Sequence, residues 1–318
     1  MKKSIGLKLE LKSVLIAILS YLIPIIGIWR IIKSPKKSVG YKIIGSIVYM
    51  IFWTYTFTLL YAMWFAFYNS AKTNGEFYEN MVNLPNVWHL ENYIKAFENI
   101  KVGSVGLPAM FINSLWYSLG SAALSALMHA FTGYVFAKYE FPGKNIAFAI
   151  IIFTITLPVV GNLPSLYQIV KKMGIDNSPL FLITTLGGFS GNFLITYGFY
   201  KGVDKTYMEA ARMDGAGHWT TFTKIMLPQA VPVMVAIGIL TFIGQWNNYE
   251  TAILFMDKMP PLSVGLFLFK KRMVYDIANS SMPVYLAGVL LCALPVIILI
   301  AIFHKKIIEN VSVGGIKG

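Results

Sequence analysis

The residue types most able to do chemistry in this 318-residue sequence are crowded into one short stretch, YMEAARMDGAGHWTTFTKIMLPQA, at residues 207–230. Five ionisable side chains lie within it: Glu209, Arg212, Asp214, His218 and Lys224. Such groups can serve acid–base catalysis, metal binding or ion pairing with a partner. Their spacing matches no catalytic or metal-binding motif, so these side chains could pair with charges on a partner, and the alternative is an ordinary polar loop between spans.

The same stretch carries signals for two short helices joined by a turn. Thr206 and Glu209 have the spacing of a capping box, which predicts that a helix begins there. Asp214-Gly215 then interrupts the pattern, because glycine permits the left-handed conformation that ends a helix. The aspartate of that pair is expected to cap a second helix, Ala216 to about Met226, which Leu227-Pro228 closes.

Elsewhere the sequence shows no catalytic, metal-binding or nucleotide-binding motif. FPGKN at 141–145 has Gly-Lys but lacks the upstream glycine and the hydroxyl residue of a phosphate loop. The four histidines have no metal-ligand spacing, and His129, within an apolar segment, is expected to be a packing residue. The single cysteine, Cys292, cannot form a disulfide framework. We therefore assign no catalytic residue, no metal site and no cofactor to this chain.

The composition indicates a membrane protein. Only 13% of the residues are charged and 56% are hydrophobic, whereas a soluble domain has about 25% charged residues. A helix that crosses a bilayer needs about 20 mostly apolar residues. Six windows have this length: Ile43–Tyr68, Phe111–Ala137, Ile146–Ile169, Pro179–Val203, Gln229–Phe255 and Val284–Phe303. The sequence therefore predicts an all-α polytopic membrane protein with a six-helix core.

A further apolar run lies near the amino terminus. Val14–Trp29 is shorter than the other windows and contains Pro24, so it could span the membrane, lie in the interface or enter and return. Lys2 and Lys3 precede it, as in a signal peptide, but no small-residue cleavage pattern follows. We expect a retained extra membrane-associated helix.

The basic residues predict the orientation of the spans. When the amino terminus is placed in the cytoplasm, most of the 27 lysine and arginine residues fall on that side, as the positive-inside rule requires. The carboxyl terminus is then cytoplasmic too. The net charge of +13 is therefore a feature of membrane topology, and nucleic acid is not an expected partner.

Two segments on the outer side are long. Asn69–Met110 has the length of a small folded cap, and Met256–Pro283 is also sizeable. Either segment could contact a partner protein, and the alternative is that both are solvated loops.

The stretch EAARMDGAGHWTTFTKIMLP closely resembles the EAA signature of membrane permease subunits of binding-protein-dependent ABC importers. That signature is E-A-A-x-x-D-G-A followed by a hydrophobic segment and proline. The segments at 111–145 and 157–183, together with IGQWNNYETAILF and VGGIKG, are also similar to the family. The likeness covers roughly Asn92 to Gly318 and resembles the carbohydrate class, on the side of the second, maltose-permease-like subunit. Residues before about Lys42 match poorly.

This resemblance implies a division of labour. Two permeases form the translocation path, an ATPase dimer that holds ATP and magnesium docks beneath, and an extracellular substrate-binding protein delivers the sugar. By resemblance, the helices of the EAA segment fit a cleft on the ATPase. The implied coupling residues are Glu209, Ala210, Ala211, Asp214, Gly215, Ala216, Gly217 and Pro228.

The resemblance also implies a division of the chain into four parts. A basic segment with the extra membrane-associated helix occupies 1–42, and the first span with its outer loop occupies 43–110. The permease core extends over 111–304 with the coupling helices at 204–228, and a cytoplasmic tail occupies 305–318. The whole is expected in a bacterial cell membrane.

A polar segment at the end of the fifth window is the candidate for the substrate path. It comprises Trp246, Asn247, Asn248, Tyr249 and Glu250, which could offer a sugar a stacking face and hydrogen-bonding groups. The glutamate, which we place inside a span, departs from the family pattern, and an intramembrane carboxylate is a functional candidate by default. The alternative is that these polar side chains bond between helices, with Gly187, Gly188 and Gly191 marking close packing.

Other functions remain open at this stage. An importer for a non-sugar solute would share the EAA segment. A membrane enzyme acting on lipid-linked sugars would also be basic and polytopic, but should show clustered carboxylates or a metal site. A stand-alone channel or secondary transporter would need no docking helices.

Overall fold

The computed structural model describes residues 28–29, 31–33, 38–157, 161–275 and 281–313. Within these described residues, four helices are long and apolar enough to cross a membrane: Val39–Ser70, Leu107–Lys138, His218–Asn247 and Met282–Phe303. The predicted all-α polytopic fold is confirmed. The expected helix in Val14–Trp29 and the closing VGGIKG segment lie almost wholly outside the described residues.

The first half of the chain contains α1 (Val39–Ser70), α2 (Asn74–Glu79), α3 (Glu91–Asn99), a hairpin of β1 (Lys101–Val102) and β2 (Val105–Gly106), α4 (Leu107–Lys138), α5 (Lys144–Thr156) and α6 (Leu163–Met173). The second half contains a 3-10 turn (Pro179–Thr185), α7 (Gly191–Gly202), α8 (Thr206–Met213), α9 (His218–Thr221), a π turn (Phe222–Met226), α10 (Leu227–Asn247), α11 (Glu250–Phe255), α12 (Leu262–Arg272) and α13 (Met282–Val313).

Three of the six predicted spans are interrupted, so the expectation of continuous helices there was wrong; the break in Gln229–Phe255 lies between Asn247 and Glu250. In the window Ile146–Ile169, α5 ends at Thr156 and α6 begins at Leu163, with Gly161 in the left-handed conformation at φ 82°. In the window Pro179–Val203, a 3-10 turn is separated from α7 by two left-handed glycines. Apolar composition alone does not reveal such breaks, which glycine and proline impose on the backbone.

Helix α4 is the centre of the core and packs mainly on α10 and α7. Its buried face is rich in small and hydroxyl residues, among them Ser118, Ser121 and Ala122, which let helices approach closely in a membrane. The contact with α7 is tightest at Gly133, where an added Cβ would lie 2.4 Å from Thr196 Oγ1. Glycine is therefore required at this crossing.

A second contact between α4 and α7 consists of hydrogen bonds. His129 is buried, as expected, and both of its ring nitrogens have partners: Nδ1 lies 2.6 Å from the Ser125 carbonyl and Nε2 lies 2.7 Å from Ser190 Oγ. Ser190 also caps α7 through the Asn192 amide. The imidazole thus bonds α4 to the start of α7, directly after the break in that predicted span.

The segment that follows α1 folds into a cap that contains α2, α3 and the hairpin; the sequence left a folded cap and a solvated loop as alternatives. The Asn92 side chain donates to the Ser70 and Lys72 carbonyls, at 2.8 Å each. Lys72 is buried and donates to the Asn80 carbonyl at 2.7 Å, and this burial lowers the pKa of its ammonium group. These bonds join the cap to the end of α1.

The cap, the amino end of α4 and the segment before α12 meet at one end of the molecule. Asn113 donates to the Pro260 carbonyl, and Ser114 Oγ accepts from the Leu262 amide. Arg272 reaches the Lys101 carbonyl of the hairpin. The EAA segment lies at the other end of α4, beyond Lys138.

The close crossing at Gly133 generates a stability prediction. Gly133→Ala should destabilise the α4–α7 contact by about 1–3 kcal/mol, because overpacking a core costs about that much. The measurement is thermal unfolding of the purified protein in detergent. Gly198→Ala on α7 is the matched control, because an added Cβ there meets nothing within 4 Å. Equal melting temperatures for the two variants would contradict the prediction.

Candidate functional site

The EAA segment begins with α8, but its cap differs from the predicted one. Thr206 is the first helical residue and does not cap the helix through its hydroxyl. Asp204, two residues earlier, accepts the Thr206 amide at 3.0 Å, and this hydrogen bond lowers the pKa of the Asp204 carboxyl. The capping-box prediction was therefore wrong in its residues, although the helix does begin at Thr206.

The turn after α8 was predicted correctly at its glycine and wrongly at its aspartate. Gly215 has φ 77°, and the Ala216 amide donates to the Ala211 carbonyl at 2.9 Å, which closes the end of α8. Asp214 is the carboxyl-terminal cap of α8 and does not cap the second helix. The residue before that helix is Gly217, which makes no side-chain cap.

The second helix is not a separate short helix. It begins at His218 and continues without a break to Asn247, so Leu227-Pro228 does not close it. The π turn Phe222–Met226 precedes Pro228, which lies in the first turn of α10. Proline has no N–H to donate to the preceding turn, and the π turn changes the hydrogen-bonding register of the helix just before it, so the chain stays helical through Pro228. The second half of the EAA segment is therefore continuous with a long helix.

Helix α8 is seated on the core through one face. Met208, 6% exposed, packs in a cluster with Tyr134, Tyr200, Phe222 and Met226. These partners come from α4, α7 and the π turn. This cluster, the seat of α8, holds the helix against the ends of α4 and α7 and against the π turn.

Three polar contacts stabilise the same seat. Tyr139 bonds His218 Nδ1 at 2.9 Å and also lies 3.2 Å from the Tyr134 hydroxyl. Lys138 donates to the Val203 carbonyl just before α8. The chain on both sides of α8 is thus bonded to the end of α4.

The opposite face of α8 and the following turn are open to a partner. Most of the implied coupling residues are exposed: Glu209, Ala210, Asp214, Gly215, Gly217 and Pro228. Ala216 is half-buried, whereas Ala211 is buried against the protein itself and so does not offer its side chain to a partner. Met213 and Trp219, 89% and 68% exposed, were not predicted and widen this surface with apolar groups.

The candidate substrate path lies at the other end of the same long helix. Helix α10 ends at Asn247, and α11 begins at Glu250 after a break. Asn248 forms the break: its Oδ1 accepts the Thr251 amide, and its carbonyl accepts the Ser263 hydroxyl. Glu250 is exposed at the start of a short helix, so its placement inside a continuous span was wrong.

The predicted path residues divide into two groups. Trp246 is 4% exposed, donates from Nε1 to the Cys292 carbonyl at 3.0 Å and packs against Phe111 and Phe242. Its interactions are those of a core residue. Asn247 to Glu250 instead line open space at the break.

That open space is a cleft of about 670 Å³ between the break and the start of α6. One wall comprises Gly244, Asn247, Asn248, Tyr249, Glu250 and Thr251, and the other comprises Gly161, Asn162, Leu163 and Leu166. The second wall was missed by sequence reasoning. The only signal for it was Gly161 and Asn162 between two apolar runs.

A second cleft, of about 530 Å³, lies on the other side of the same break. Asn247 and Tyr249 line both clefts, so the break forms the ridge between them. Both clefts offer amide, hydroxyl and aromatic groups of the kind that bind polar organic ligands. Within the described residues, no group of three His, Cys, Asp or Glu could hold a metal ion.

The fold and the two surfaces define a class of protein. Long apolar helices, an exposed helical segment packed on the core and polar clefts at helix breaks are features of a polytopic membrane permease. A family model described as "Binding-protein-dependent transport system inner membrane component" matches residues 129–309. The chain belongs to this family. It is a multi-pass membrane component of a transporter and not an enzyme.

Characterised relatives match most of the chain. The diacetylchitobiose uptake system permease protein NgcG of Streptomyces coelicolor is 30% identical over 77% of this chain and 80% of its own length. The arabinooligosaccharides transport system permease protein AraQ of Bacillus subtilis is 26% identical over 90% of this chain and 99% of its own length.

A solved structure has the same fold. The crystal structure of a bacterial ABC transporter involved in the import of the acidic polysaccharide alginate contains a chain with a TM-score of 0.69. That match is 21% identical in sequence and covers 86% of this chain and 99% of the other. At this identity the likeness shows the fold alone.

The seat of α8 generates a second prediction. Met208→Ala should loosen α8, because truncating a buried methionine costs about 2–5 kcal/mol, and protease cleavage within 204–217 should become faster. Met213→Ala is the matched control on the same helix, because Met213 is almost fully exposed. The measurement is limited proteolysis of the membrane-embedded protein followed by mass spectrometry. Equal cleavage of both variants would show that the cluster does not hold the helix.

Proposed function

We propose that the chain is a permease subunit of an ATP-driven importer for a sugar or oligosaccharide. It forms the translocation path with a second permease, and the exposed face of α8 docks on an ATPase dimer. An extracellular substrate-binding protein delivers the solute. Family membership supports the partners in general terms, and the sugar class is supported by relatives named for diacetylchitobiose and arabinooligosaccharides.

The observation that carries this proposal is the continuity of one helix. His218–Asn247 is 30 residues long, which corresponds to about 45 Å at 1.5 Å per residue. One end, His218, lies within the proposed docking segment at 204–228 and bonds Tyr139. The other end forms the ridge between the two clefts. A displacement of the docking segment is therefore transmitted along a single rigid element to the clefts.

The division of chemistry follows from this arrangement. The chain binds no cofactor, and ATP and magnesium belong to the partner ATPase. Glu209 and Arg212 offer charges for pairing, while Ala210 and Gly217 let a partner surface approach the backbone closely. Closure of the ATPase dimer then moves helices as bodies and switches the path between outward and inward access.

The clefts suit the proposed substrate path. Asn162, Asn247, Asn248 and Thr251 offer hydrogen-bonding groups, and Tyr249 offers a ring. Trp246 contributes through packing, since it holds the end of α10 against α13 by its bond to Cys292. Irregular backbone at membrane depth is tolerated where it lines a cavity, which is the situation at this break.

The proposal includes an orientation and a division of the chain. The docking segment at 204–228 and the tail at 305–318 lie in the cytoplasm, and the cap within 43–110 lies outside. The permease core extends over 111–304, and 1–42 is an additional basic membrane-associated segment. These assignments rest on the distribution of basic residues.

Coupling is tested by a charge reversal on the docking face. Glu209→Lys should leave the protein in the membrane but lower ATP-dependent uptake about tenfold or more, because reversing one partner of an interfacial charge pair costs about 2–5 kcal/mol. The matched control is Glu140→Lys, an exposed glutamate on the neighbouring loop. Uptake and ATPase co-purification should be measured together. Wild-type values of both for Glu209→Lys would contradict the docking role.

Orientation is tested by labelling single cysteines. In a Cys292→Ala background, a cysteine at Glu79 should react with an impermeant thiol reagent in intact cells. A cysteine at Gly217 should react only after the membrane is opened. Both positions are exposed, so accessibility of the side chain does not limit the reaction. The reverse pattern would overturn the orientation.

A further inference from the structure

The second cleft has a chemistry that differs from that of the first. It lies between the break and α12 and is lined in part by Asn247, Tyr249, Ser263, Phe267, Lys270 and Lys271. Its described lining contains two ammonium groups and no carboxylate. Among the described residues, no carboxylate forms an ion pair with either lysine.

One wall of this cleft is aromatic. The rings of Tyr249 and Phe267 are stacked, with centroids 4.3 Å apart and an interplanar angle of 17°. Lys271 Nζ lies 4.8 Å from the centre of the Phe267 ring. A cation held beside stacked rings presents charge and an apolar face to the same ligand. A sugar ring that carries an acidic group matches both features.

The positive side-chain charge in the last turn of α12 exceeds the negative partial charge of the helix dipole there. Lys270, Lys271 and Arg272 occupy the last turn of α12, where the helix dipole contributes about −0.5 charge. Three formal positive charges leave a clear surplus over that half charge. Arg272 is engaged with the Lys101 carbonyl at 2.6 Å. The two lysines of the cleft are exposed and can reach an anion bound there.

The first cleft carries the opposite charge. Glu250 lines it, and no lysine or arginine is among its described lining residues. Tyr249 and Asn247 line both clefts. A ligand that extends across the ridge thus meets cations on one side and a carboxylate with amides on the other. An anionic group is attracted to the first of these environments and repelled from the second.

We propose that this cleft binds the anionic group of an acidic oligosaccharide. The carboxylate of a uronic acid residue pairs with Lys270 and Lys271, and the sugar ring of that residue lies against the Tyr249–Phe267 stack. Neutral sugar residues occupy the first cleft, beside Glu250 and the amides. This inference rests on the proposed function and names its substrate class.

The experiment uses the complete importer in proteoliposomes with its binding protein and ATP. Uptake is compared for oligosaccharides of equal length that differ in one residue, a uronic acid or its neutral parent. Lys270→Gln with Lys271→Gln should lower kcat/KM for the acidic member about tenfold or more, as loss of a charge-assisted hydrogen bond predicts. Uptake of the neutral member should change less than about twofold, within the effect of a surface substitution.

Three controls accompany this comparison. Lys258→Gln, an exposed lysine of the same outer segment that lines neither cleft, should leave both uptakes unchanged. Lys270→Arg with Lys271→Arg keeps the charge and should keep the preference for the acidic sugar, even if the glutamine variant assembles poorly. Glu250→Gln should increase uptake of oligosaccharides in which every residue is acidic, because it removes the repelling carboxylate.

The outcomes separate this inference from the function on which it rests. Transport of neutral but of no acidic oligosaccharide by the wild type overturns the inference and leaves the proposed function standing. Transport of neither contradicts the proposed function itself. Equal losses of acidic and neutral sugar uptake in the double glutamine variant assign the lysines a structural role and overturn the inference. A loss that follows the anionic lipid content of the vesicles, and not the sugar charge, assigns them to lipid headgroups and also overturns the inference.

Discussion

The proposed coupling depends on the packing of α8 against the ends of α4 and α7 and against the π turn. Met208 supplies the apolar contact, and the Tyr139–His218 hydrogen bond supplies a directional one. A docking segment without this seat would move on its own, and no force would reach the membrane. Through the seat, α8 packs directly against the start of the helix His218–Asn247. The exposed face of α8 can then be small and polar because its stability comes from the opposite face.

One of the breaks in the predicted spans lies at the other end of the helix His218–Asn247. A continuous helix satisfies all its backbone groups internally and offers a ligand only side chains. At Asn248 the helix opens, and the Thr251 amide donates to Asn248 Oδ1 while the Ser263 hydroxyl donates to the Asn248 carbonyl. The break after the 3-10 turn is likewise stabilised, because His129 bonds Ser190 at the start of α7. Hydrogen bonds hold both interruptions in place, and the one at Asn248 lies between the two clefts.

Sequence reasoning located the docking segment and the polar ridge because both are marked by residue types that apolar spans exclude. Gly215 was predicted at its turn because only its left-handed backbone suits that position. The continuity through Pro228 was missed, because a π turn has no local sequence signal and proline usually ends a helix. Asn162 was missed because the far wall of a cleft depends on which helices pack together. Glu250 was misplaced because hydropathy counts residues and does not detect a break.

The central claim is that motion of the docking segment reaches the clefts through one rigid helix. Electron-spin distance measurements on the assembled importer test it directly, with one label pair at Thr220 and Asn247 and another at Asn162 and Asn247. The first pair should stay at about 40 Å, the span of 27 residues in a helix, whether or not the ATPase is trapped in its closed state. The second pair should change its distance on trapping. A helix pair that shortens on trapping, or a cleft pair that stays constant, would contradict the account.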